Sequence, residues 1–274
     1  MTSFFEKGAQ TLIICDDCRH VTWSNVPSNE ELAKYYEDEY TESHDQANIQ
    51  ADLRAYYRQH AEELAGLAQV EATDLRIADV GCSYPTFLEE AQAIGVKQPL
   101  GVDWSLEVRD YAAERGITVM TPVEFADFEP GSLDVLRYSH ALEHMPDPVA
   151  ALTEHAAKLK VGGLLYVTQP NFPVFAAAGS STDIMDSVWP THLHFFNPIS
   201  LRDMLDRAGF DVLKFYTVGD APQRMADYED ILDMDTAKER LSNLADRGEE
   251  IRGEFANYPY FAAENSTMYA IKRG

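Results

Sequence analysis

Residues 75–88 read LRIADVGCSYPTFL, and the rest of the chain is organised around them. The apolar run Ile77–Val80 contains acidic Asp79 and leads into Gly81, and an apolar helical pattern begins a few residues later. Strand, tight turn and helix in that order build a ligand crevice at the carboxyl end of a strand in an open α/β sheet. About twenty residues further on, GVDWS places Gly101 and Asp103 at the end of a second expected strand. A carboxylate there can accept hydrogen bonds from ribose hydroxyls. Spacing alone therefore predicts a site for a nucleoside-containing cofactor and does not name it.

Outward from this centre the pattern alternates. Strands are expected at 76–80, 98–102, 117–120, 133–138 and 163–168, with helices near 85–94, 105–115 and 148–160. Gly95 and Gly116 read as helix stops, and Gly162-Gly163 as the break between the third helix and the fifth strand. A helix over 200–208 ends at Gly209, and 210–218 and 266–272 read as closing strands. Upstream, 11–14 and 21–23 read as short strands flanking Cys15-Asp16-Asp17-Cys18. Ser28 or Asn29 caps a helix over 30–40, and Leu53, Tyr56, Tyr57, His60, Leu64 and Leu67 mark a second over about 46–69. The expected organisation is a cysteine knuckle and helical cap over 1–70, followed by one catalytic domain over 71–274. That domain carries a substrate-side loop at 170–198 and an acidic helical insertion at 222–254.

The chain of 274 residues is long enough for a full α/β core. Its 46 acidic residues against 22 basic ones give a net charge of -24, which repels a phosphate backbone and argues against a nucleic-acid partner. No apolar run approaches the roughly eighteen residues a bilayer span needs, so no membrane partner is expected. The amino terminus carries Glu6 and lacks a basic region ahead of a long apolar core, so a cytoplasmic location is expected. Three cysteines exclude a disulfide framework. Cys15 and Cys18 read first as a structural turn; zinc with His20 and remote His44, or a redox pair, stay open. Cys82 reads as a small packing residue.

Two polar clusters sit where chemistry is expected. His140-Ala141-Leu142-Glu143-His144 follows the strand LDVLRYS, and residues at a strand's carboxyl end face the crevice. His192 and His194, in THLHFF, point the same way if the segment is extended. An imidazole near neutral pH can serve as a general base, with Glu143 accepting a proton or a substrate hydroxyl. A metal set from His140, Glu143, His144 and one of the later histidines is chemically reasonable, but nothing in the spacing demands it, and no metal is assigned. Phe172, Phe175, Trp189, Phe195 and Phe196 suit either an apolar, ring-bearing acceptor or ordinary packing.

The pieces IADVGCSYPTFL, GVDWS, FEPGSLDVLRYSHALEHMPDP, LKVGGLLYVTQPN and HLHFFNPISLRDMLDRAGF resemble, in order and spacing, a class I S-adenosylmethionine-dependent methyltransferase of the small-molecule group. The CDDC turn followed by PSNEELAKYYEDEY resembles the amino-terminal segment of sugar C-methyltransferase-like proteins. The resemblance implies an α/β, Rossmann-like, seven-stranded and mostly parallel sheet in the order 3-2-1-4-5-7-6, and S-adenosylmethionine as cofactor. It implies that Asp79, Gly81 and Ser83 line the loop beside the cofactor's amino-acid part, with Ser83 and Pro85 standing where glycines are usual. Asp103 would bind the ribose, Trp104 flank the adenine, Val123 and Glu124 line its edge, and Ser139 and His140 close over the sulfonium. The expected reaction is methyl transfer to a small-molecule hydroxyl, with His144 or His192 as base, His194 orienting and Glu143 anchoring. A sugar carbon or a nitrogen acceptor, and a non-catalytic scaffold on the same fold, remain as alternatives. The helices at 30–69 and 222–254 are the surfaces a homodimer would use.

Overall fold

The computed structural model describes residues 2–7, 10–18, 20–38, 53–171, 191–218 and 265–274. Phe172, Phe175, Trp189, His44, most of the 170–198 loop and the whole 222–254 insertion lie outside the described residues. The elements in chain order are β1 (Thr2–Lys7), β2 (Gln10–Ile14), β3 (Val21–Trp23), α1 (Asn29–Asp38) and α2 (Arg54–Ala68). Next come β4 (Ile77–Val80), α3 (Thr86–Ala93), β5 (Leu100–Val102), α4 (Leu106–Ala113), β6 (Thr118–Met120), α5 (Pro122–Ala126) and β7 (Leu133–Ser139). After a 3-10 turn at Leu142–His144 follow α6 (Pro148–Ala156), β8 (Leu159–Pro170), β9 (His194–Phe195), α7 (Pro198–Arg207), β10 (Phe210–Val218) and β11 (Asn265–Lys272).

A seven-stranded sheet runs β6-β5-β4-β7-β8-β11-β10, the expected 3-2-1-4-5-7-6 order. The pairings β4 with β5, β4 with β7 and β5 with β6 are parallel. All four residues of β4 and the first six of β7 are buried, as parallel strands covered on both faces require. The order reverses between β4 and β7, which is where an open α/β sheet leaves a crevice.

Two compact units divide the chain. One comprises Ser28–Ser139, Ala150–Val167 and Ala270–Gly274; the other comprises Met1–Pro27, His140–Val149 and Thr168–Tyr269. In the first, α2 packs on α3, and Arg54 and Arg58 pair with Glu90 at 2.9 and 2.7 Å. In the second, an antiparallel sheet β1-β2-β3-β9 closes over Leu12, Val21, Trp23 and Phe195. β1 has no counterpart among the sequence expectations, and neither does β9's pairing with β3, Val21 opposite Phe195 and Thr22 opposite His194.

Two boundaries differ from expectation. The helix expected over 148–160 ends at Ala156, and β8 starts at Leu159 rather than after the glycine pair. Gly162, at φ +75°, bends the strand instead of ending a helix, and a Cβ on Gly163 would stand 2.9 Å from the Lys160 carbonyl oxygen. α5 was not anticipated. Thr121 caps it, with its hydroxyl taking the Glu124 amide and the Glu124 carboxylate taking the Thr121 amide.

Candidate functional site

The crevice in the first unit is built by the loop after β4. Gly81 takes φ +70°, and the Gly81 and Cys82 amides donate to the Val102 carbonyl at 2.8 and 3.2 Å, folding the loop onto the end of β5. A side chain at Gly101 has no room: its Cβ would meet Cys82 Sγ and Val119 Cγ2 at 2.8 Å and Leu88 Cδ1 at 3.0 Å. Cys82 is buried in that contact, as a packing residue. Ser83 occupies the left-handed region at φ +48°, a conformation that favours glycine, and its amide donates to Asp103 Oδ2 at 2.9 Å. Pro85 is the N-cap of α3, so the helix opens directly on this loop.

Asp103 sits at the end of β5, half-buried. Oδ1 accepts from the Ser105 amide at 2.9 Å while Oδ2 accepts from Ser83, so the carboxylate ties the loop to the start of α4. The Trp104 amide bonds the same carboxylate, and of its roughly four acceptor sites the remainder can take a ribose hydroxyl. Burial pushes this carboxyl above its usual range, against the pull of the surrounding amides. Trp104 is half-buried beside it. Val123 is exposed, and Glu124 is spent on capping α5. Ser139 ends β7, half-buried.

Asp79 differs most from its expected part. It is buried, and both its oxygens lie 2.8 Å from Nη1 of Arg137, its register partner on β7. The carboxylate expected beside the cofactor is committed to this ion pair. Burial works upward on the Asp79 carboxyl and Arg137 opposes it. The guanidinium also lies 4.2 Å over the Phe87 ring, with Tyr57 and Tyr166 further out. Arg137 was not singled out from sequence, although one charge inside the apolar run LDVLRYS was the available signal.

The second unit holds the histidine cluster. The chain passes from Ser139 into His140, whose backbone takes φ +54° and whose amide donates to the Thr168 carbonyl at 2.9 Å. His140 Nδ1 stands 3.7 Å from Glu143 Oε1. Glu143 is 1% exposed, and neither carboxylate oxygen has a hydrogen-bond partner among the described residues. Burial pushes its carboxyl up to about 8. Burial also draws His144 down to about 3 and His192 to about 4, so both rings are neutral near pH 7. The two rings meet edge to face at 4.7 Å, and one ligand atom from each of Glu143, His144 and His192 falls within 4.8 Å of the others.

Two segments distant in sequence are stitched together here. The Leu193 amide donates to the Glu143 carbonyl at 2.7 Å, and Trp23 Nε1 donates to the His192 carbonyl at 3.1 Å. His192 and His194 have different partners. Nε2 of His194 lies 3.2 Å from the Pro146 carbonyl and Nδ1 lies 3.0 Å from His20 Nε2. A carbonyl only accepts, so His194 carries its proton on Nε2 and its Nδ1 accepts from His20. With both nitrogens occupied, His194 holds the loop. Among the described residues Gln169, fully buried near the end of β8, has no partner for its side-chain amide; nothing in the sequence marks it.

The sequence pattern of a family described as "Methyltransferase domain" matches residues 49–214. A ubiquinone biosynthesis O-methyltransferase of Xanthomonas euvesicatoria pv. vesicatoria is 29% identical over 158 residues, covering 53% of this chain and 66% of that protein. Its counterpart in Bordetella bronchiseptica is 31% identical over 150 residues, covering 50% and 62%. The chain thus spans just under two thirds of the length of these curated relatives. Among solved structures, a SAM-dependent methyltransferase from Archaeoglobus fulgidus superposes with a TM-score of 0.54 at 20% identity, covering 89% of this chain and all of that one. The [4+2]-cyclase SpnF superposes at 0.50 with 19% identity, covering 79% and 80%. These likenesses show the fold, on which different reactions are built. With the sheet order, the loop after β4 and the match over 49–214, the chain belongs to the methyltransferase-domain family.

Proposed function

We propose that this protein transfers a methyl group from S-adenosylmethionine to a hydroxyl oxygen of a small-molecule acceptor. The observation that carries the reading is Asp103. Its carboxylate is held just after β5 by the Ser83, Ser105 and Trp104 backbone amides, which aim it into the crevice where a ribose hydroxyl can donate to its remaining acceptor capacity. The Gly81–Ser83 turn, closed onto β5, fits the amino-acid part, and half-buried Trp104 offers an apolar face to adenine. When bound, the cofactor supplies an already activated methyl on a sulfonium. The chain's own contribution is positioning, exclusion of water and a place for the acceptor's proton.

The curated relatives named as O-methyltransferases support an oxygen acceptor. His144 and His192 are neutral near pH 7 and can take a hydroxyl proton, while Glu143 anchors the acceptor and His194 orients the loop. Ser139 ends β7 and His140 follows it in sequence; the family resemblance gives both to the sulfonium end. The acidic surface favours a free small molecule over a nucleic acid. Among the described residues no helix is long and apolar enough to cross a membrane. A second reading, methylation of a sugar carbon, rests on the resemblance of CDDC and PSNEELAKYYEDEY to sugar C-methyltransferase-like proteins.

The test is mass spectrometry of acceptor panels (catechols, polyhydroxy phenols, keto-sugars) incubated with methyl-labelled S-adenosylmethionine. Label on a phenol or alcohol oxygen supports the proposal, and label on carbon moves it to the second reading. No labelled product, from protein that binds the cofactor, overturns the transfer reaction.

A further inference from the structure

We infer that Cys15 and Cys18 form a reversible dithiol–disulfide site, oxidised by low-molecular-weight disulfides through attack from Cys15. Three features carry it. The first is the placement of the pair on the fold. β2 and β3 are antiparallel with Ile14 opposite Val21, and the Cys15 amide donates to the His20 carbonyl at 2.8 Å, so the ladder runs up to the first cysteine. Cys15 to Cys18 then span one tight turn. A β-turn brings its first and fourth Cα atoms within about 7 Å, and a disulfide bridges Cα atoms about 4.4–6.8 Å apart. The Asn197 side-chain amide donates to the Cys18 carbonyl at 3.1 Å and holds the far end of the turn.

The second is the direction of the hydrogen bonds at the sulfurs. The Cys18 and Asp17 amides and the Cys18 thiol all donate to Cys15 Sγ, so the two sulfurs are already in contact. Burial works upward on the Cys15 thiol, but these donors outweigh it and hold the group below its ordinary value. Burial pushes the Cys18 thiol up to about 11. The pair is therefore asymmetric, a half-buried attacking sulfur beside a protonated resolving one. The third is the surrounding donor set. Among the described residues no third histidine, cysteine or carboxylate puts a ligand atom within 4.8 Å of both sulfurs, whereas a structural zinc takes four ligands.

The chemistry balances as thiol–disulfide exchange. Cys15, its proton lost to solvent, attacks one sulfur of R–S–S–R, forming a mixed disulfide and expelling R–S⁻, which takes up a proton. Cys18 then gives its proton to solvent, and its thiolate attacks Cys15 Sγ and expels the second R–S⁻, which is protonated in turn. The protein loses two electrons and R–S–S–R is reduced to two R–SH. Asp16 and Asp17 are exposed on the same turn of a chain with net charge -24, so a cationic disulfide is favoured over an anionic one.

Full-length protein is equilibrated in cystamine–cysteamine buffers, quenched with acid and denatured, and its remaining thiols are alkylated and mapped by peptide mass spectrometry. The expected result is a fall from three thiols to one, a Cys15–Cys18 bond, and full return on reduction with dithiothreitol. Cys18→Ser should trap cysteamine on Cys15. In native wild type at pH 7, iodoacetamide should alkylate Cys15 at least tenfold faster than Cys18. Three thiols at every buffer ratio, a bond that involves Cys82, or faster alkylation of Cys18 overturns the site. Stoichiometric zinc in the purified protein that is lost in Cys15→Ser also overturns it, because the pair would then be metal ligands. No arm uses S-adenosylmethionine or an acceptor, so failure here is distinct from failure of the methyltransferase reading.

Discussion

Replacing Arg137 with Met should be among the most damaging single changes in the described residues, and the damage should depend on pH in a defined sense. The substitution keeps an unbranched chain of similar length against Phe87 but removes the only cation on Asp79 shown by the side-chain hydrogen bonds. Asp79 is 1% exposed and Arg137 4%, so water cannot take the guanidinium's place. Breaking a buried pair on one side costs about 3–5 kcal/mol, a large share of the roughly 5–15 kcal/mol that holds a domain folded. At about 2–4 °C per kcal/mol, the melting temperature should fall by roughly 6–20 °C. Without the cation, burial alone acts on Asp79 and raises its folded-state pKa. A raised folded-state carboxyl contributes stability that is fully present below its unfolded value of about 4 and is lost as pH rises through the folded value. The variant should therefore weaken between pH 4 and pH 7 by up to about 1.4 kcal/mol per unit relative to wild type. Asp79→Leu combined with Arg137→Met should recover most of the loss. Urea unfolding at pH 5, 6 and 7 measures all three proteins. A loss below about 1 kcal/mol that does not change with pH would refute the reasoning.

Acid should destabilise the wild type through its buried neutral histidines. Burial draws His20 to about 3 and His155, which meets the Tyr138 hydroxyl at 2.6 Å, to about 4. Folded values below the unfolded 6.5 give stability that is present above pH 6.5 and lost as pH falls, about 1.8 kcal/mol per group between pH 7 and pH 5. His155→Phe should flatten that slope in chemical denaturation; an unchanged slope sinks the assignment. Gly101→Ala should cost about 1–3 kcal/mol, because its Cβ would stand 2.8 Å from Cys82 Sγ and Val119 Cγ2, and thermal unfolding reads it directly. Ser83→Gly should relieve φ +48° and raise stability by about 0.5–1 kcal/mol, whereas Ser83→Val should lower it. Equal effects would mean that the left-handed turn carries no strain.

The parallel core was legible in sequence because its strands are short, continuous apolar runs spaced by helices, and β4, β5 and β7 fall within two residues of expectation. β8 was cut short because a glycine pair reads as punctuation, while here Gly162 bends a continuing strand. α5, at five residues, is too short to show a helical period, and only its Thr121–Glu124 cap announced it. The candidate site was legible as residue types and illegible as partners. Asp79 with Arg137 requires knowing that β4 and β7 are neighbours in that register. His20 with His194 spans 174 positions, and no local pattern encodes it. Glu143, His144 and His192 could be grouped from sequence as one donor set, but only the structure brings an atom of each within 4.8 Å of the others.

The central claim is that the crevice after β4 and β5 holds S-adenosylmethionine through Asp103. Calorimetric titration of cofactor-stripped protein with S-adenosylmethionine and S-adenosylhomocysteine tests it most directly, with NAD as control. Hydrogen bonds to a charged carboxylate contribute about 1.5–3 kcal/mol each, so Asp103→Ala should weaken binding by at least about tenfold while Asp103→Asn keeps part of it. The account predicts micromolar binding of both sulfur compounds, none of NAD, and that graded loss. Folded wild-type protein that binds neither, or an Asp103→Ala variant that binds as tightly as wild type, would contradict it.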